Sequence, residues 1–319
     1  MLCLSACSLL FMSFSWSSSI LLIASFAVGF TSVVPQLIVP LAAQMADPAE
    51  RGKIIGTVMS GLLIGILLSR TFSGFVGGYF GWQVVYWIAS GLMVALALLL
   101  SRRLPISPPN SNISYLGLFK SMASLIKDKP VVREASLNGA MMFAAFSAFW
   151  TTLVFLLESS HYNMGTMSAE VAGLFGLVGV VGAAAAPIAG RIADQRSPRF
   201  TIWIGMAVVI LSFLCFLVFG FSIWGLIVGV ILLDLGVQSC QISNQARIHA
   251  LGDESRNRLN TIYMVAYFIG GALGSFLASY GYSAFGWYGV CAVGLITQAI
   301  ALAAHIKGMR HAPKQAINL

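Results

Sequence analysis

Charge is what this chain has least of. Its 319 residues include 18 Lys and Arg but only 10 Asp and Glu, so charged residues make up 9% against 58% hydrophobic. A water-soluble fold is excluded, because too few charged side chains remain to cover so much apolar surface. With a mean hydropathy of +0.89, lipid is the expected solvent. Cysteine is scarce as well. Cys3, Cys7, Cys215, Cys240 and Cys291 all lie in or at the edge of apolar runs. That placement excludes an outer-loop disulfide framework, and no pair has metal-ligand spacing. His161, His249, His305 and His311 are scattered, without a carboxylate or Cys companion at ligand spacing. No phosphate-cradling loop is present, which excludes ATP hydrolysis. No enzyme, metal site or cofactor is expected.

Long apolar runs are what the chain has in plenty. Ten candidate helices cover roughly 1–17, 20–45, 54–79, 82–101, 133–157, 168–190, 200–220, 223–250, 258–281 and 284–306. Most hold the ~20 apolar residues that cross a hydrocarbon core of ~30 Å. Pro35 and Pro40 predict a kink or tilt in the second. The basic residues then fix the orientation. All 18 except Arg70 fall in alternate connections and the C-terminal tail, while the connections near 16–19, 79–81, 159–168, 219–222 and 280–285 hold none. By the positive-inside rule the basic side is cytoplasmic, with both termini inside. The opposite side carries Trp16, Tyr79, Trp82, Tyr162, Trp224 and Trp287, as an interfacial aromatic belt would. The net charge of +8 is therefore a topogenic signal and not a nucleic-acid footprint.

A repeat is concealed in the pattern. Shifting the chain by 205 residues pairs Gln36 with Gln241, Arg51 with Arg256, Lys53 with Arg258 and Gly65 with Gly270. It also pairs Phe80-Gly81-Trp82 with Phe285-Gly286-Trp287. Small residues four apart align too: Gly61, Gly65, Ser69 and Ser73 against Ala266, Gly270, Gly274 and Ala278. Such a face lets two helices approach closely in lipid. Both copies are expected to run the same way across the membrane, as parallel repeats do. The resulting organisation is an incomplete N-terminal bundle of four spans (1–101), a cytoplasmic linker (102–132), a C-terminal bundle of six (133–306) and a tail (307–319). On this register the chain opens where the third helix of a six-helix unit should begin, two helices short.

The linker is the one long hydrophilic connection. Pro105, Pro108 and Pro109 stop the preceding helix. Beyond them Leu118, Phe119, Met122, Leu125 and Ile126 recur at helical spacing among Lys120 and Lys127. Two readings stand: an amphipathic helix on the inner leaflet, held by apolar burial and anionic lipid, or an unstructured linker.

Between the second and third helices of the second bundle runs Gly190-Arg191-Ile192-Ala193-Asp194-Gln195-Arg196-Ser197-Pro198-Arg199. With the four-plus-six division and parallel repeat, this segment resembles the short cytoplasmic signature of the major facilitator superfamily. The family's pattern is a Gly, an aliphatic, a small residue, an Asp and following basic residues; Gln195, Ser197 and Pro198 depart from it. The resemblance implies an all-α polytopic carrier whose gating loop is carried here by Gly190, Arg191, Asp194, Arg196 and Arg199. Asp194 could latch a helix start or pair with the arginines; a solvated turn is the alternative. Gly61, Gly65, Gly74, Gly77 and Gly78 on one helix are similar to the glycine-rich helix of drug/proton antiporters, although Ser69-Arg70 replaces its usual Gly-Pro. The stretches Asp234–Gln238 and Ser243–Arg247 resemble a bacterial efflux subgroup.

Two charges sit deep. Asp234 lies ten residues past Trp224 and Arg70 ten before Phe80, each roughly 15 Å from the outer boundary. An ionised group there costs ~2.5–3.5 kcal/mol even on lenient scales, so each needs a partner or water. Either they face a central cavity and interact, with Asp234 titrating during transport, or they are structural. Gln36, Gln238, Gln241, Asn244 and Gln245, with Asn138, Trp150 and Thr151, and Asn260, Tyr263 and Tyr267, extend the candidate pathway. Helix–helix hydrogen bonding is the competing role for each amide.

Three function classes follow. The first is a secondary carrier of a small solute in the bacterial inner membrane, monomeric, working by alternating access as proton-coupled efflux. The second is a non-functional remnant of such a carrier. The third is a membrane sensor or scaffold on a carrier fold, which the short tail disfavours.

Overall fold

The structure is a computed structural model and describes residues 1–34, 38, 41, 45, 51–103, 115–179, 197–252 and 255–310. Every long element among them is helical. They are α1 (Leu2–Ser13), α2 (Ser18–Thr31), α3 (Arg51–Phe80), α4 (Trp82–Arg103), α5 (Tyr115–Asp128) and α6 (Pro130–Glu158). Then come α7 (Ser168–Gly179), α8 (Pro198–Phe219), α9 (Ile223–His249), α10 (Arg256–Phe285) and α11 (Trp287–Arg310). Among the described residues α4, α6, α8, α9, α10 and α11 are long and apolar enough to cross a membrane.

Local signals set the helix starts. Ser17 and Ser197 accept from the backbone N–H of Ile20 and Phe200, capping α2 and α8. Pro130 and Pro198 open α6 and α8, where their missing N–H would find no intrahelical partner anyway. Gly81 (φ 89°) separates α3 from α4, and Gly286 (φ 58°) separates α10 from α11. Both glycines occupy the repeat-equivalent position. The repeat register extends to whole helices: Arg51–Phe80 and Arg256–Phe285 begin and end 205 residues apart, and α4 and α11 both open on Trp.

Two units divide the chain. The first comprises residues 1–111 and 169–176. In it α4 packs on α1 through polar side chains that find backbone partners. Ser90 donates to the Ala6 carbonyl at 2.9 Å, and the Trp87 indole donates to Ser13 Oγ at 2.8 Å. Ser5 ties α1 to the Thr31 carbonyl of α2 at 2.9 Å. Residues 169–176 join this unit because Gly74 and Gly173 lack side chains, which lets the backbones approach. Thr71 Oγ1 donates to the Gly173 carbonyl there at 2.8 Å.

The second unit comprises residues 112–168 and 177–319. Its α10 lies directly on α6. A Cβ on Gly270 or Gly274 would overlap the carbonyls of Ala140 or Ala144, and Ala278 is fully buried. The small-residue face expected from spacing is thus a close helix seam in this copy. Its counterparts Gly61 and Gly65 are exposed. Near the end of the unit opposite the basic residues, Phe149 stacks on Phe216 at 4.4 Å. Trp287 closes that aromatic core by donating to the Phe216 carbonyl at 3.0 Å.

The linker segment 115–128 is a helix, and its two faces differ. Met122 and Leu125 pack on the cluster Val132, Leu259 and Ile262, while Leu116 and Phe119 are 67% and 66% exposed.

Candidate functional site

The polar residues of α9 fall on a single stripe. Asp234, Gln238, Gln241 and Gln245 are spaced four, three and four apart, so one face of the helix carries them all. Asp234 is only 1% exposed and its carboxylate lies against the backbone of Gly179, where any side chain would crowd it. The hydroxyl of Tyr267 on α10 donates to Gln241 Oε1 at 3.2 Å and lies within electrostatic reach of Asp234. The same ring stacks on Phe143 of α6, with centroids 4.1 Å apart and planes 15° from parallel. Tyr263, one turn earlier and fully buried, lies over Gly139, where a Cβ would collide with the ring. Gln245 Nε2 approaches the Met264 sulfur at 3.8 Å, a weak acceptor. Three helices thus bring Asp234, Gln241, Tyr263 and Tyr267 together around an aromatic stack.

Other sequence-selected residues go elsewhere. Asn260 hydrogen-bonds His249. Trp150 joins the aromatic column beside Phe146 and Phe149. Gln238 is half-buried on the stripe. Asn244 is fully buried, with no hydrogen bond to either end of its amide among the described residues. Arg70 belongs to the first unit and Asp234 to the second. Gln36, Gly190, Arg191, Asp194 and Arg196 lie outside the described residues; Arg199, the last residue of that motif, is buried at the start of α8.

A second cluster forms at the basic end of the second unit. Arg247 donates from Nη1 to Glu134 Oε1 at 3.0 Å and from Nη2 to Oε2 at 2.9 Å, a bidentate pair. His305 Nδ1 reaches Oε1 at 2.7 Å. A paired carboxylate only accepts, so Nδ1 carries the proton and donates. Asn138 lies 3.5 Å from the same nitrogen and Trp203 meets the imidazole edge-on. Glu134, Arg247 and His305 are 7%, 6% and 0% exposed. Helix ends favour the arrangement. Glu134 sits near the N-terminus of α6, whose dipole attracts an anion, and Arg247 lies in the last turn of α9, which attracts a cation. Arg199 is within electrostatic reach of both.

Sequence reasoning missed this cluster. It treated Arg247 as topogenic, assigned Arg199 to the gating loop, and read His305 as isolated. The partners lie 113 and 171 residues apart, so no spacing betrays them. The available signal was Glu134 itself, one of only 10 acidic residues, placed just inside a span.

Comparison with known proteins gives this geometry a lineage. The family model described as Major Facilitator Superfamily matches residues 1–252. An uncharacterized transporter of Escherichia coli is 41% identical over 291 residues, covering 91% of this chain and 73% of that protein. A probable transporter of Streptomyces coelicolor is 32% identical, covering 82% and 60%. A probable sugar efflux transporter of Helicobacter pylori is 23% identical, covering 83% and 66%. Among solved structures, a bacterial homologue of the human lysosomal transporter Spinster, in an inward-facing and occupied conformation, superposes with a TM-score of 0.66. It is 15% identical, and the match covers all of this chain and 82% of that one. The helical fold, the internal repeat and these relatives agree: this chain belongs to the Major Facilitator Superfamily, a family of membrane transporters.

Proposed function

We propose that the chain exports a small solute from the bacterial cytoplasm by alternating access, in exchange for inward-moving protons. In this reading ten spans, four and six, cross the inner membrane with both termini cytoplasmic. The observation that carries it is Asp234, a carboxylate 1% exposed in the middle of a membrane-spanning helix, on one stripe with three glutamines and beside Tyr267. An acid so placed is costly unless it is used, and a group that gains and loses a proton as the carrier opens to either side is such a use. Arg70, the other charge that the sequence places deep in a span, is a second pathway residue in this scheme. Gln238, Gln241, Gln245 and Tyr263 supply amide and aromatic walls in this scheme, and Gln36 is the first half's candidate. Asp194, with Gly190, Arg191, Arg196 and Arg199 of the same sequence motif, is the candidate cytoplasmic latch. The name of the Helicobacter relatives, sugar efflux transporter, supports the outward direction.

Everted membrane vesicles test the scheme. With an acid interior reported by acridine orange, solutes from a panel of sugars and aromatic acids are added one at a time. A transported solute should release protons and restore fluorescence. The Asp234→Asn variant should lose that release while still exchanging labelled solute down its own gradient. Full proton-coupled flux by the variant removes Asp234 from coupling.

A further inference from the structure

The fixed rotation of α5 creates a surface that transport does not explain. Its inward face is anchored three ways. Met122 and Leu125 pack on Val132, Leu259 and Ile262. Arg258 of α10 donates to Ser121. Arg133 of α6 donates from Nη1 to the carbonyls of Ile126 and Lys127 at 3.0 and 2.6 Å, holding the helix C-terminus. With that face pinned, the rest of the helix cannot roll. At 100° per residue, Leu116, Phe119, Ala123 and Ile126 then occupy one sector of roughly 80°. Leu116, Phe119 and Ile126 are 67%, 66% and 41% exposed. Lys120 and Lys127 occupy the neighbouring sector and are exposed. The helix's acid, Asp128, accepts from Ser124 at 2.7 Å.

We propose that this face of α5 is a docking surface for anionic phospholipid of the cytoplasmic leaflet, with Leu116, Phe119 and Ile126 in the acyl region and Lys120 and Lys127 on the phosphates. Connectivity selects the occupant. Asp128 ends the helix two residues before Pro130, where a membrane-spanning helix begins, so α5 lies at the bilayer boundary. Apolar residues there meet lipid tails, and ammonium groups one sector away meet headgroups. Because Arg258 joins α5 to the first turn of α10, lipid on this face also bears on the position of α10.

Photo-crosslinking of the full chain in nanodiscs tests the proposal without a transport substrate. Benzoylphenylalanine replaces Phe119 in one protein and Ser124, on the polar face, in another, and adducts are identified by mass. Nanodiscs contain phosphatidylcholine alone or with one-third phosphatidylglycerol. The expected result is a lipid adduct at 119 and none at 124, with the share of phosphatidylglycerol adducts enriched over its share of the bilayer. The double variant Lys120→Gln/Lys127→Gln, monodisperse on size exclusion, should return the ratio of phosphatidylglycerol to phosphatidylcholine adducts to that of the bilayer, a fall of about fivefold per lysine. A 119 probe that labels only this chain or water overturns the proposal. So does a lipid adduct with no preference for phosphatidylglycerol, which would leave an apolar contact without a headgroup site. Adducts to a second protein copy would reassign the face to self-association.

Discussion

Glutamine at position 134 isolates the cost of an uncompensated buried cation. In the native chain the Glu134 carboxylate takes both guanidinium donors of Arg247 and the Nδ1 proton of His305, all less than a tenth exposed. Glu134→Gln keeps the side-chain volume and one acceptor but removes the charge, leaving Arg247 buried without its counter-ion. Breaking a buried pair from one side costs about 3–5 kcal/mol. For a unit of this size, each kcal/mol shifts Tm by about 2–4 °C, so a drop of roughly 6–20 °C is expected. Intrinsic fluorescence of the detergent-solubilised protein on heating reads it directly. The double variant Glu134→Leu/Arg247→Met replaces the pair with apolar contacts and should recover most of the loss, because the native pair itself bears a large desolvation cost. A shift under about 2 °C for E134Q, or a double variant as unstable as the summed singles, would refute the view that charge compensation holds these helix ends together.

Further outcomes follow from packing and backbone geometry. Gly274→Val should separate α10 from α6, since its Cβ overlaps the Ala144 carbonyl, lowering stability by at least ~1–3 kcal/mol. Its repeat-equivalent substitution in the first unit, Ser69→Val, meets an exposed site and should change Tm by no more than ~2 °C. Gly286→Ala, at φ 58° and ψ −147°, enters a region that only glycine tolerates and should cost ~1–3 kcal/mol in the same melting assay. Tyr162, in the connection between α6 and α7, donates to the Gly220 carbonyl at 3.0 Å, and burial pushes its phenol up to about 12. Its ordinary value is 10.0. The folded protein therefore holds this proton where the unfolded chain has released it, so stability should decline as pH rises from about 10 to about 12. Tyr162→Phe should reduce that slope, and the difference between wild-type and variant phenolate absorbance should show one late-titrating tyrosine.

How much of this was legible can be traced residue by residue. The linker helix was one of two readings, suggested by the helical periodicity of Leu118, Phe119, Met122, Leu125 and Ile126; the structure selects it, and which of them turn inward depends on Val132, Leu259 and Ile262. The seam glycines were legible from their four-residue spacing, and the structure gives the second copy a partner in Ala140 and Ala144. Of the candidate pathway, Asp234, Gln241 and Tyr263 do gather around Tyr267. Asn138, grouped with them because the family resemblance puts its helix beside the cavity, sits beside His305.

Hydrophobic run length, loop charge and the 205-residue repeat are properties of the chain's own order, because lipid solvation acts on each segment separately. They determined the helical membrane character, the helix boundary at Gly81 and the lineage; the equivalent boundary, expected at 281–284, falls at Gly286 in the structure. What tertiary structure decided was the company each polar group keeps. Glu134, Arg247 and His305 stand 113 and 171 residues apart and meet because helices α6, α9 and α11 end at the same face of one bundle. A lone carboxylate or guanidinium is costly in an apolar interior, and only the packed helices determine which opposite charge offsets it.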